Sequence, residues 1–123
     1  MGQAGTAGEG LGVLVISLDF ELAWGMRAFG DDWRNLALQA RALVPRLLEL
    51  LVRYQVHATW ATVGLIMCED AQDALAQAPE FRPRWADPRL DSYAALASLR
   101  AEDHAAHFAP DLVRQISAAP GQE

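Results

Sequence analysis

The order of two short apolar runs and the stretch between them constrains this chain more than any other feature. Residues 11–19 (LGVLVISLD) are nearly continuous in apolar side chains and rich in Val and Ile. That is the pattern of a strand buried on both faces, as in a parallel sheet covered by helices. Residues 56–64 (VHATWATVG) carry Val56, Thr59, Trp60, Thr62 and Val63, the β-branched and aromatic residues of a second strand. Between them, in residues 33–54, Leu36, Ala40, Leu43, Leu47, Leu50 and Leu51 recur at the steps of an amphipathic helix. Strand, helix and strand make a βαβ unit, and a crossover helix implies a parallel pair. The predicted fold class is therefore α/β, with parallel strands near residues 12–19 and 56–63.

Local signals refine that outline. Asp32 stands where a side chain can cap the helix by accepting a hydrogen bond from its first turn. Pro45 inside the pattern predicts either a kink or a second helix that starts there. Beyond Gly64, residues 65–77 read as helical, and residues 79–88 (PEFRPRWADP), with three prolines, read as an irregular surface excursion. Two further short helices are expected over residues 91–100 and 110–118, the latter opening on Pro110. Residues 1–10 (MGQAGTAGEG) read as a flexible Gly/Ala tail, which leaves one domain over residues 11–123.

The formal net charge of −6 disfavours nucleic acid and anionic membrane as partners, because both require a basic face. No apolar run approaches the roughly 18 residues of a membrane span, and the N-terminus lacks the basic and apolar regions of a secretory signal. The expected location is the cytoplasm. Gly2 to Thr6 matches a myristoylation pattern without the basic patch that stable anchoring needs, so no lipid anchor is expected. Cys68 stands alone, cannot form an internal disulfide, and reads as a small buried hydrophobe.

Asp19 and Glu21 lie at the carboxyl end of the first strand, where α/β folds bind ligands. At i and i+2 they project to one side, about 7 Å apart if the extended geometry persists. Repulsion between them is relieved by a shared cation or by a proton on one of them. The pair thus reads as a metal site or as ligand and base, against the plainer reading that both solvate a loop or cap a helix. Trp24, just after the acids, reads either as a packing residue or as an aromatic face for substrate. Trp33, Trp60 and Trp85 read as packing residues. His104 and His107, at i and i+3 beside Glu102 and Asp103, are expected to lie on a solvated face rather than to ligate metal. His57 reads as a structural residue at a strand end.

The segment VISLDFELAWG (residues 15–25), followed by VPRLLELLVRYQVHATWATVG (residues 44–64), resembles the N-terminal part of the polysaccharide deacetylase family, the chitooligosaccharide deacetylase-like carbohydrate esterases. Family members carry Thr-Phe-Asp-Asp-Gly at the first strand end and a segment such as LLDLLKKYGIKATFFVVG before the second strand. The resemblance implies a distorted (β/α) barrel and metal-dependent hydrolysis of an N-acetyl amide or related carbon–nitrogen bond in a carbohydrate or other N-acylated small substrate. It places Asp19 as the general base. The family's second Asp, a metal ligand, falls on Phe20, and Glu21 is the residue available to take its place. The intact family holds a divalent metal, zinc or similar, completed by a His-x-x-x-His motif that this sequence lacks. The resemblance thus implies a truncated domain with the first strand–helix units only, which binds metal weakly and is inactive alone. The alternative is a non-catalytic binding or regulatory module, and in either case exposed sheet edges invite self-association.

Overall fold

The computed structural model describes residues 12–26 and 30–123. The tail expected over residues 1–10 lies outside them. The fold is mixed α/β. Strand β1 (Ser17–Phe20) pairs in parallel with β2 (Thr59–Thr62), in the register Ser17 to Thr59 through Phe20 to Thr62. The crossover between them is α1 (Trp33–Arg53). Four shorter helices follow: α2 (Ala71–Ala76), α3 (Ser92–Leu96), α4 (His104–His107) and α5 (Pro110–Ala118). After α5 the chain returns to the sheet on the far side of β2, where Gln122 bridges Ala58 in parallel.

Both strands are shorter than their apolar runs. The ladder begins where the Thr59 amide donates to the Ile16 carbonyl, and upstream of it Val13, Leu14 and Val15 are 87%, 84% and 76% exposed. β1 itself buries only Phe20 fully. The expectation of a strand buried on both faces over residues 12–19 is therefore corrected. Apolar residues fold into a buried strand only where a neighbouring strand and a covering layer exist, and β-propensity reports that context rather than an intrinsic preference. Among the described residues, the sheet holds two strands and is not closed into a barrel.

Helix α1 runs unbroken through Pro45, so no second helix starts there. Its buried stripe is Ala37, Val44, Leu48 and Leu51, one residue round from the stripe that the periodicity singles out. Leu36, Leu43, Leu47 and Leu50 remain partly exposed on the adjacent face. Asp32 does not cap the helix with its side chain, because it ends a 3₁₀ turn (Gly30–Asp32) with φ −89° and ψ 6° instead of the extended backbone of a capping residue. At the other end the Val56 amide bonds back to the Leu51 carbonyl, closing a Schellman-type turn in which Gln55 takes φ 54°. A β-carbon is strained there, and Gln55→Gly is expected to raise the unfolding free energy by about 0.5–1 kcal/mol, read from the urea midpoint at unchanged slope.

The principal core lies where α1 and α5 meet the sheet and includes Phe20, Leu48, Trp60, Ile66, Leu112 and Ile116. A smaller core joins Cys68, Ala74, Leu96 and Phe108. Residues 65–77 are not one helix: a 3₁₀ turn (Gly64–Met67) precedes α2, which starts where the Asp70 carboxylate accepts from the Asp73 amide at 2.8 Å. Helix α3 is likewise shorter than expected and is capped by Asp91. Residues 79–87 are irregular, and Trp85 within them is 45% exposed, so it is not a packing residue. Helix α5 has the expected bounds. Among the described residues, no helix is long and apolar enough to cross a membrane.

Candidate functional site

A cavity of about 400 Å³ opens between the end of β1, the loop that follows it and α1. Asp19 and Glu21 stand on its wall, and the rest of the lining is apolar, with Leu18 and Phe20 from β1, Leu43 and Leu47 from α1, and Trp60 from β2. Such a space lies within the range of small-molecule sites, roughly 300–1,000 Å³.

The two acids do not keep strand geometry. Phe20 is the last strand residue, and Glu21 turns to φ −119° and ψ −26°, so the spacing expected of an extended i, i+2 pair does not carry over. The Glu21 side chain folds across its own loop onto Gly25: a β-carbon built at Gly25 would overlap Oε2 and sit 2.8 Å from Cδ. Asp19 and Glu21 are both exposed, and neither carboxylate has a hydrogen-bond or ion-pair partner among the described residues. Glu21 immediately precedes a 3₁₀ turn (Leu22–Trp24) but does not cap it with its carboxylate. Of the plainer reading, the capping half is thereby set aside for Glu21, while the exposure of both acids agrees with their solvating a loop.

The loop carrying Glu21 is rigidly placed. Leu22 is buried at φ 48°, a conformation that costs a leucine about 1–2 kcal/mol and persists because the core holds the side chain. The Trp24 amide donates to the Glu21 carbonyl at 3.1 Å, and the Trp24 indole N–H donates to the His107 carbonyl at 2.8 Å. The indole packs against both cores and meets the His107 and Phe108 rings edge-on. Trp24 thus anchors the acid-bearing loop to α4. Gly25 itself has φ −89° and ψ −11°, which any residue adopts, so its lack of a side chain serves the Glu21 carboxylate. Gly25→Ala is expected to leave unfolding within about 1 kcal/mol of the parent. The same variant is expected to shift the ¹³C resonance of the Glu21 carboxyl and to leave that of Asp19 in place.

The histidines fall elsewhere. His107 is 6% exposed, packed beside Trp24 and Trp33, with Nδ1 3.0 Å from the Asp103 carbonyl oxygen. The expectation of a solvated His104/His107 face is corrected for His107, because the aromatic side chains of Trp24 and Trp33 cover it. His104 is half-buried, edge-on to Phe108. His57 is exposed before β2 and lies against Gly121, where a β-carbon would come 2.8 Å from Cδ2. Asp103, named in the sequence only as a neighbour of the two histidines, is 4% exposed between Arg34 Nε at 2.9 Å and Arg100 Nε at 3.1 Å. The Arg34 approach is an ion pair without hydrogen-bond geometry. Cys68 is buried as expected, and burial first, then Asp73 and Asp70, push its thiol above the ordinary value of 9.0.

No family model, curated protein or solved structure matches this chain.

What the cleft can do follows from its own chemistry. Two unpartnered carboxylates can accept a proton or contact a cation, and they can do so beside an open apolar wall. Among the described residues there is no group of three or more His, Cys, Asp or Glu placed to hold a metal ion. Asp19 and Glu21 fall short of the three protein ligands that a catalytic zinc site takes.

Proposed function

We propose that this chain is polysaccharide-deacetylase-like and forms the first strand–helix units of a distorted (β/α) barrel. Its acids act in hydrolysis of a non-peptide carbon–nitrogen bond in an N-acylated carbohydrate or other small N-acyl substrate. The observation supporting this reading is the pair of unpartnered carboxylates at the carboxyl end of β1, opening on a cavity of about 400 Å³. Strand ends are where α/β folds place their chemistry. Asp19, exposed and unpaired, serves as the general base that takes a proton from the attacking water as its oxygen bonds to the amide carbon and the carbonyl π pair moves to oxygen. When that pair returns the C–N bond breaks, and the proton passes to the departing amine nitrogen. Glu21 is the carboxylate available in place of the acid that Phe20 cannot supply, and Trp24 fixes the loop that carries it.

The described residues do not complete a site for a divalent metal, so no step is routed through one. On this reading the histidines of the family's His-x-x-x-His motif would be supplied from outside these residues. Acetate release from an N-acetylated amine in added zinc tests the reading. The chain alone is expected to release no more than its Asp19→Ala variant, and a chain continued through its downstream coding sequence is expected to release at least a hundredfold more. An inactive continued chain, or turnover by the chain alone that survives Asp19→Ala, overturns the proposal. The apolar lining of the cleft favours a second reading, a non-catalytic binding module that reuses the fold.

A further inference from the structure

We infer that the cleft between β1 and α1 binds an organic cation with an apolar body, a primary alkylammonium or arylalkylammonium. The inference rests on the reading that Asp19 and Glu21 serve one site, and it names the class of amine that the site would hold. Three observations converge on this class. Both carboxylates lie on the cleft wall without a partner, and among the described residues no Lys, Arg or His lines it to offset their charge. Among the described residues no hydroxyl or amide side chain lines it either, so beyond the two carboxylates a polyhydroxylated ring finds few hydrogen-bond partners, and of the substrates proposed above the cleft favours the amine of a small apolar one. Leu43 and Leu47 remain 56% and 36% exposed beside the acids, leaving an apolar wall uncovered.

An ammonium group donates three hydrogen bonds and matches groups that only accept. Its hydrocarbon body covers Leu43 and Leu47, and each buried methylene strengthens binding about fourfold. A bare cation leaves the wall exposed, and an anion is repelled by the pair. The net charge of −6 raises the local concentration of any cation. The volume of about 400 Å³ admits a chain of six to eight carbons, on the order of a small drug-sized ligand.

Isothermal titration of the full chain with n-butylammonium, n-hexylammonium, n-hexanol and glucosamine tests the inference. Hexylammonium is expected to bind about sixteenfold tighter than butylammonium, and at least tenfold tighter than hexanol or glucosamine. Asp19→Asn and Glu21→Gln, both at exposed positions, are each expected to weaken hexylammonium about fivefold while leaving hexanol unchanged. Leu43→Asn is expected to weaken both. Hexanol or glucosamine binding as tightly as hexylammonium overturns the inference, and so does indifference of hexylammonium to both acid variants. A lysine-bearing peptide that binds more tightly than hexylammonium overturns the small-molecule assignment. No hydrolysis is read in these titrations, so loss of the proposed reaction leaves the inference standing, and an active chain that prefers hexanol removes the inference alone.

Discussion

Replacing Phe20 with aspartate is expected to unfold the protein. The substitution places a second acid directly after Asp19, and it does so at a core position. Phe20 is 4% exposed and meets Trp60 edge-on, with ring centroids 6.0 Å apart at 89°. Loss of the ring alone costs about 3–5 kcal/mol. A carboxylate placed there without a partner adds several kcal/mol of desolvation. The sum reaches the roughly 5–15 kcal/mol that holds a small domain together. Far-UV circular dichroism and urea unfolding at 25 °C should show no native baseline for Phe20→Asp, whereas Phe20→Leu should lose only about 1–2 kcal/mol. An aspartate variant with a parental midpoint would show that the ring is not part of the core. The expected loss also explains the spacing of the acids. With position 20 turned into the core, a second carboxylate reaches the cleft from position 21, beyond the strand, and Glu21 does so by folding onto Gly25.

The βαβ order was legible because helix and strand periods differ; α1 follows with a small change at its end, and β2 falls within its expected run but is only four residues long. The extent of β1 was not. Val13, Leu14 and Val15 look like strand residues, but hydrogen-bond pairing depends on a neighbour that the local sequence cannot show. The rotation of the buried stripe on α1 has a related cause. Leucines occupy two adjacent faces of the helix, so periodicity establishes that one side is apolar without choosing which half of that side packs. Ala37, Val44, Leu48 and Leu51 meet the core, and Leu43 and Leu47 line the cleft instead.

The candidate site was legible in the same partial way. Asp19 and Glu21 stood out because acids at the end of an apolar run need a reason. The dependence of Glu21 on Gly25 is a contact at i+4 outside any helix, and no period marks it. The post formed by Trp24 and His107 joins residues 83 positions apart, and Arg34 meets the backbone of Glu102 across 68. Composition and spacing carry no record of such meetings. His107 therefore looked like half of a polar pair, although its neighbours make it a core residue.

Gln122→Ala is expected to detach the chain from the far edge of β2 and to cost about 2–4 kcal/mol. The Gln122 amide is buried and works in both directions: its Oε1 accepts the Trp60 indole N–H at 3.0 Å, and its Nε2 donates to the Val56 carbonyl at 2.9 Å. Truncation leaves a buried donor and a buried acceptor unsatisfied, each worth about 1–3 kcal/mol. The backbone then follows the side chain. The Ala58 amide donates to the Gly121 carbonyl at 3.1 Å, the Glu123 amide to Ala58 at 3.1 Å, and the Trp60 amide to Glu123 at 2.6 Å. Those bonds lie at a sheet edge and close a turn at Gly121, which takes φ 74°. With no side chain holding the register, the edge frays and the Ala58 and Trp60 amides open to solvent. Hydrogen exchange should show both amides losing protection in Gln122→Ala, while the Val63 amide, bonded to Phe20, keeps its own. Unchanged protection at Ala58 and Trp60 would mean that the backbone ladder holds without the glutamine. In the expected case, one buried amide with no periodic signature sets the position of the last strand-like residues against the strand next to the acids.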